Sequence, residues 1–354
     1  MIRLQSSQFE IARPIFAELS SFNLSVAAVL AGDAPGEVWV DEIAHPQVGF
    51  AMTSEGHYLA GDARQTSSYA GLRKIIPPNA YLVMDSPAWE TVLDQVWVNR
   101  AARRHPREHW RFHEQRLPHW RDLVPASFLV APVDAELLGK KELKNHPAVA
   151  GWVEGWHSSA YFLQHGFGFC VLHGETIASW CLADCASGPH CEIGIQTDRA
   201  YRRRGLAKVA VAAAVEHCLA NGFTAIGWHC LSSNTGSRAV AEKVGFVKAR
   251  DYFACSSVLP AENAGDLTPA EYQDWAEHYE KALVGNLQYA YRAAEAWAMA
   301  GDTRRALANL SRLAANWDGR PEWLEDNWRF DSLRHAAVYQ NLLAALRAKQ
   351  PSEE

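Results

Sequence analysis

Cys191-Glu-Ile-Gly-Ile-Gln-Thr197 and, after three residues, Tyr201-Arg-Arg-Arg-Gly-Leu-Ala-Lys208 decide the reading of this chain. The first stretch alternates Glu192, Gly194 and Gln196 with Ile193 and Ile195, the period of a strand. The second runs into an apolar segment, 209–215, followed by Ala220-Asn221-Gly222, a helix stop. A helix apolar nearly all round is a buried one. The pattern is therefore strand, short turn, buried helix. The turn carries Arg202, Arg203 and Arg204 and then Gly205. A helix N-terminus presents unpaired backbone N–H groups and the positive end of a dipole. Gly205 lets the backbone approach a bulky ligand, and arginines add long-range attraction and bidentate contacts. Together they make a site for a pyrophosphate. The rival phosphate motif G-x-x-x-x-G-K-[ST] is absent from the sequence.

Outward from this stretch the pattern is α/β. Before it come a helix-like part at 135–143, a helical stretch at 149–164 and a hairpin of 168–172 with 177–182 turning at His173-Gly174. After it, 224–229 reads as a strand, 234–244 as a short helix and 246–256 as a last strand. Nearer the N-terminus, Ile11, Ile15, Phe16 and Leu19 have helical spacing, with the regular helix starting near Pro14. Residues 26–30, 38–40, 48–52 and 58–60 read as strands of an antiparallel meander, 80–84 as another strand, 89–96 as the start of a helix, and the Arg-, His- and Trp-rich residues 100–124 as a connector. From about residue 261 the pattern is helical only. Thr268-Pro-Ala-Glu271 is a cap, a first-turn proline and a capping box, and later helices are expected over 288–300, 303–316 and 332–348. The expected division is an α+β domain at 1–125, an α/β domain with a mixed, mainly antiparallel sheet at 126–258, and a helical domain at 262–354.

Bulk properties narrow the function. A length of 354 residues calls for more than one core. A formal net charge of −6 argues against a nucleic-acid binder. No apolar run reaches the length of a membrane span, and the N-terminus lacks a secretory apolar core. Seven scattered cysteines fit reduced thiols and a cytoplasmic location.

Arg202-x-x-Gly205-x-Ala207, in its strand–turn–helix context and followed by the strand to His229, Asn234 and Val244-Gly245-Phe246, resembles the cofactor signature of the GNAT superfamily of N-acetyltransferases. Residues 128–257 carry that resemblance. Val26-Ala-Ala-Val-Leu30, Gly36-Glu-Val-Trp-Val-Asp41, Gly166-Phe-Gly-Phe-Cys170, Trp228-His-Cys230 and Asn234-x-Gly-Ser237 further resemble bacterial GNAT proteins related to the zwittermicin A resistance acetyltransferase. Tyr291 to Asp302 with Arg305 to Leu310 resembles a tetratricopeptide-type hairpin.

The resemblance implies acetyl-CoA as cofactor and direct transfer of its acetyl group to a primary amine. The implied cofactor-binding residues are Ile193, Ile195, Thr197, Arg202, Arg203, Arg204, Gly205, Leu206, Ala207, Lys208, Asn234 and Ser237. Ile195 supplies the N–H for the oxyanion, where two strands splay apart. Ile195 and Thr197 grip the pantetheine arm. Asn234 contacts that arm or caps its helix. Glu192 is the leading general base, against the plainer reading of a salt-bridged strand carboxylate. His229 is a second base or relay, against that of an ordinary core histidine. Relatives carry a tyrosine as the thiolate's acid where this chain has Ala241, which leaves Tyr252, Cys230, Ser237 or solvent to supply the proton. Cys181, Cys185, His190 and Cys191 lack the paired spacing of a zinc site, so no metal is expected. Trp180 and Trp228 are expected to fill core. The acceptor is a small molecule, or a protein amine recruited through 262–354; a non-catalytic acyl-CoA sensor is the remaining alternative. The plainer reading of the helices is a cap on the enzyme or a partner subunit, and a homo-oligomer stays open.

Overall fold

The computed structural model describes residues 1–261, 263–283, 286–313 and 317–349. Its described residues divide into two compact units. One joins Met1–Arg100 to Arg104–Cys255; the other joins Ala101–Arg103 to the described residues from Ser256 on.

The first unit is organised on a sheet of twelve strands among the described residues. In chain order these are β1 (Ile2–Arg3), β2 (Gly36–Val40), β3 (Val48–Thr53), β4 (His57–Gly61), β5 (Tyr81–Met84), β6 (Arg103–Phe112), β7 (Leu129–Pro132), β8 (Gly168–His173), β9 (Thr176–Ser187), β10 (His190–Thr197), β11 (Ala225–Leu231) and β12 (Phe246–Ser256). They lie in the order β1-β2-β3-β4-β5-β12-β6-β11-β10-β9-β8-β7. The pairing is mixed: β4–β5 and β10–β11 are parallel, while β1–β2, β2–β3, β3–β4, β7–β8, β8–β9, β9–β10 and β6–β11 are antiparallel.

Two apolar clusters pack on this sheet. One gathers Phe16, Leu19, Val26, Val29 and Val38 with Tyr252 and Ala254 of β12. The other gathers Trp110 of β6, Trp180, Ile193 and Trp228 with the helix Leu206–Ala220. That helix buries Leu206, Val209 to Val215 and Cys218, as its composition requires. Trp180 and Trp228 are core residues, as expected. A boundary near residue 125 does not coincide with a break between the clusters. β6 precedes it yet contributes to the second cluster, and β12 follows it yet contributes to the first.

Three local expectations are corrected. Residues 26–30 belong to a helix, Leu24–Ala31, ended by Gly32 at φ +83°. Their apolar run is buried on several sides, so it shows neither the alternation of a strand nor the stripe of a surface helix. The helix near Pro14 is a 3-10 turn, Ser6–Ile11, followed by one α-turn, Ala17–Ser20. The connector at 100–124 contains the ten-residue strand β6 at the middle of the sheet. Its charges disguised it.

In the second unit the capping box at Thr268 starts the helix Pro269–Ala282, with Thr268 N–H donating to Glu271 Oε2 at 2.8 Å. Helices Gln288–Ala300 and Thr303–Leu313 follow, joined by Gly301 at φ +89°; the expected continuation to residue 316 lies outside the described residues. The last described helix is Ala337–Lys349. Between them Glu280 collects Trp297 Nε1 at 3.0 Å, Asn309 Nδ2 at 2.8 Å and Arg305.

Gly245 ties β12 to the loop after β6. It ends the helix Thr235–Val244 at φ +116°, and a Cβ there would lie 1.7 Å from the Glu114 carbonyl oxygen. Gly245→Ala is therefore expected to lower stability by about 2 kcal/mol or more, read as a lower urea midpoint with an unchanged slope.

Candidate functional site

Strands β10 and β11 pair for only three residues, His190–Glu192 against Ala225–Gly227. Beyond that point β10 continues against β9 alone, and β11 continues against β6. At the same step β9 gains an extra residue: Glu192 faces Cys185 while Ile193 faces Ala183, so Asp184 is a bulge. A bulge bends its strand and increases local twist. The two parallel strands part where the bulge sits, leaving the β11-facing edge of residues 193–197 without a strand partner.

Glu192 stands at that parting. It is buried, and its Oε1 accepts from Leu24 N at 2.8 Å and pairs with His229 Nε2 at 3.1 Å. Cys185 Sγ lies 3.8 Å from Oε2. Burial disfavours the charge, but the attraction of His229 and the hydrogen bonds from His229 and Leu24 outweigh it and hold the carboxyl below its ordinary range. Gly227 makes the room: a Cβ there would sit 2.8 Å from Glu192 Cγ.

His229 continues the chain. Its Nδ1 lies 3.0 Å from the Tyr252 hydroxyl, which accepts from Arg107 Nε at 2.7 Å. Arg107 also donates to the Tyr81 hydroxyl at 2.8 Å. An ionised Glu192 accepts from His229 Nε2, and the Tyr252 hydroxyl meets the other ring nitrogen, Nδ1. Burial pushes the Tyr252 phenol up. His109 stands directly opposite His229 across β6 and β11, ring on ring at 4.5 Å and 12°. Burial, with the neighbouring His229 as the next cause, pushes His109 down to about 3, so it is neutral at ordinary pH.

His109, Glu192 and His229 offer one ligand atom each within 4.8 Å of one another. The two rings are parallel and both nitrogens of His229 are hydrogen-bonded, so a cation drawn there would have to displace the bonds to Glu192 and Tyr252. Of the residues weighed for a metal, Cys181, Cys185 and Cys191 are buried while His190 is exposed, and Cys191 Sγ turns to Cys218 Sγ at 3.6 Å.

The arginine turn lies at the far end of β10. Arg202 Nε donates to Thr197 O at 3.3 Å, and Thr197 Oγ1 meets Ser179 Oγ at 2.8 Å. Arg203 and Gly205 both take left-handed backbone, φ +62° and +79°. Arg203 and Arg204 are exposed, and Arg204 lies over the Tyr201 ring at 5.3 Å. Gly205 opens the helix Leu206–Ala220, which no side chain caps. Ile195, Ala207 and Lys208 are half-buried; Ile193 and Leu206 point into the core. Asn234 Oδ1 accepts from Ser237 N at 2.9 Å, a helix cap, and Ser237 Oγ accepts from Trp228 Nε1 at 3.0 Å. Ala241 is fully buried.

The family model for GNAT acetyltransferase matches residues 14–255. The chain belongs to that family. It is 26% identical over 240 residues to the uncharacterised N-acetyltransferase YdfB of Bacillus subtilis, covering 64% of this chain and 87% of that one. It also resembles the crystal structure of a GCN5-related N-acetyltransferase-like protein from Streptococcus suis, with a TM-score of 0.57, 23% identity, and coverage of 71% of this chain and 98% of that one. That likeness shows the GNAT fold. Among the described residues of this acetyltransferase no helix is long and apolar enough to cross a membrane.

The structure thus brings Glu192 and His229 together, and gathers Thr197 with Arg202 at the turn. It adds two members to the acetyltransferase's polar cluster that the sequence reading missed, His109 and Arg107. A signal was present: His105, Arg107, His109 and Arg111 recur at every second position, the period of a strand.

His109 carries a pH consequence. Unfolded, it binds a proton near 6.5; folded, only near 3. The unfolded state holds more protons in that window, so the stability contributed by neutral His109 is present above 6.5 and lost as pH falls toward 3, by about 1.4 kcal/mol per unit. In His109→Phe, which keeps a ring on His229, urea midpoints should fall less steeply between pH 6.5 and 4 than in the natural protein.

Proposed function

We propose that this acetyltransferase transfers the acetyl group of acetyl-CoA directly to a primary amine. The observation that carries the proposal is the parting of β10 from β11 at Glu192 and Gly227, with an uncapped, glycine-opened helix at the far end of β10. A strand edge freed in this way offers N–H and C=O groups to an extended pantetheine arm, and the helix start offers N–H groups to a pyrophosphate. Arg202, Arg203, Arg204 and Gly205 make the pyrophosphate turn, with Ala207 and Lys208 beside it. Ile193, Ile195 and Thr197 supply the strand backbone, and the Ile195 N–H points to the developing oxyanion. Asn234 and Ser237 shape the start of the next helix, beside the arm.

The amine nitrogen attacks the thioester carbon, the carbon–sulfur bond breaks, and the thiolate leaves. The amine's proton passes to Glu192 and His229, and the thiolate takes one from solvent or through Tyr252. A buried carboxylate kept ionised by His229 and Leu24 is in its proton-accepting form throughout the neutral range. Its titration should therefore produce no loss of rate until pH falls below 4.5.

The resemblance of Val26 to Leu30, Gly36 to Asp41 and Gly166 to Cys170 to zwittermicin-type resistance acetyltransferases supports a kinship with them, and with it a small-molecule acceptor. Consecutive helices joined by Gly301-Asp302 support a tetratricopeptide-like reading of the last residues, with a protein partner as its function. Seven buried free thiols suit the cytoplasm.

Calorimetry with acetyl-CoA tests the cofactor site. Gly205→Glu and Arg204→Glu should each weaken binding by about tenfold or more, and unchanged affinity in both would sink the assignment. Glu192→Gln should lower kcat by roughly 10²–10⁴ while leaving acetyl-CoA affinity within a few-fold.

A further inference from the structure

One step beyond the parting of the strands, strand β10 has no side chain. Gly194 lies on the same face as Glu192, and two groups from other elements press into the space it leaves. A Cβ there would stand 2.4 Å from Trp152 Cζ2 and 2.9 Å from Asp184 Oδ1. Trp152 comes from the helix His146–Glu154, and Asp184 is the bulge residue of β9. The bulge that parts the strands therefore also turns a half-exposed carboxylate onto the Glu192 face.

The tryptophans on this face have an unused donor each. Trp152 Nε1 is enclosed and has no hydrogen-bond partner, and the same holds for Trp180 Nε1. Trp180 is paired with Gln196 in the β9–β10 register, so its side chain shares the face of Glu192 and Gly194. Trp180 itself is almost wholly buried, at 2% exposure. An enclosed donor without an acceptor is costly, and a ligand that completes its hydrogen bond removes that cost. The Trp152 donor is two bonds from Cζ2. It therefore lies within the span of one small molecule from the Asp184 carboxylate.

We propose that Asp184, Trp152 and Gly194 form the acceptor subsite, and that it takes a small cationic amine bearing an oxygen on the adjacent carbon. This rests on the acetyl-transfer reading above. The ammonium pairs with Asp184 and lies over the Trp152 ring, a carboxylate and a π face being the two groups that attract a cation. The neighbouring oxygen accepts from Trp152 Nε1. Because Gly194 has no side chain, Trp152 and Asp184 close onto β10 and hold the amine beside a thioester lying along residues 193–197, which the nitrogen attacks once its proton has passed to Glu192. A plain alkylamine would satisfy Asp184 but leave the indole donor unpaired, and a site built around a hydrogen bond rejects such analogues.

The test uses the full chain, labelled with nitrogen-15 and saturated with CoA, titrated with 2-aminoethanol and with its isostere propylamine. Trp152→Phe assigns the indole resonance. The expected result is a shift of the Trp152 indole N–H with 2-aminoethanol, and tighter binding of 2-aminoethanol than of propylamine. That preference should disappear in Trp152→Phe. Asp184→Asn should weaken both amines by about tenfold or more, with CoA affinity unchanged. An unresponsive Trp152 indole, equal affinity for the two amines, or undiminished binding by Asp184→Asn overturns the subsite. Failure of the natural protein to bind CoA in the same samples instead overturns the acetyl-transfer reading on which it rests.

Discussion

An ionised carboxylate enclosed where two parallel strands part is the constraint on which the site depends. Glu192 can be there only because Gly227 has no side chain, and it can stay charged only because Leu24 and His229 donate to it. Each condition comes from a different part of the chain: a strand glycine, the start of an N-terminal helix, and the strand after the buried helix. Removing one partner from an enclosed charge costs more than the lost bond is worth, because the remaining charge is left unsatisfied. Leu24, Gly227 and His229, far apart in the sequence, are thereby tied to one side chain.

The same carboxylate organises the electrostatics around it. Beyond His229 the chain of hydrogen bonds runs through Tyr252 to Arg107, so an anion and a permanent cation stand at its two ends. His109 is kept neutral by burial, and its stacked ring fixes the plane of His229 without adding a competing charge. A protonated ring there would oppose any positive charge on His229. Neutral His109 thus lets His229 share a proton with Glu192, and the geometry of the pair owes as much to packing as to charge.

Residues 190–256 were legible in the sequence because their signals are local. An alternating strand, a glycine turn and an apolar helix each declare themselves within a few residues, and Gly205 at φ +79° stands where the pattern requires it. Thr268 and Glu271 were legible for the same reason. Residues 26–30 were not, because enclosure on several sides erases periodicity. β6 was misread because three of its buried positions hold His105, Glu108 and His109, with only Trp110 apolar among them. Such residues become core only when partners are supplied, and the partner of His109 lies in β11, far along the chain. No local rule announces that pairing, nor the bulge at Asp184, which exists only as a mismatch between two strands.

The glycines show how the two halves of the chain meet at the site. Gly227 admits Glu192, Gly194 admits Trp152 and Asp184, and Gly205 leaves a helix start open. In the first two, a side chain from another element fills the room that the glycine gives up. At Gly205 the nearest filler is the mobile stem of Lys208, at 3.0 Å from the missing Cβ. A flexible lysine stem can move aside at little cost, whereas an indole ring held on Gly194 cannot. Strand β10 therefore joins an adaptable end, suited to a phosphate that must enter and leave, to a rigid end, suited to holding a small acceptor still while its nitrogen attacks. The parting of the strands separates these two demands along a single strand, and the bulge at Asp184 is what allows one β-sheet to meet both.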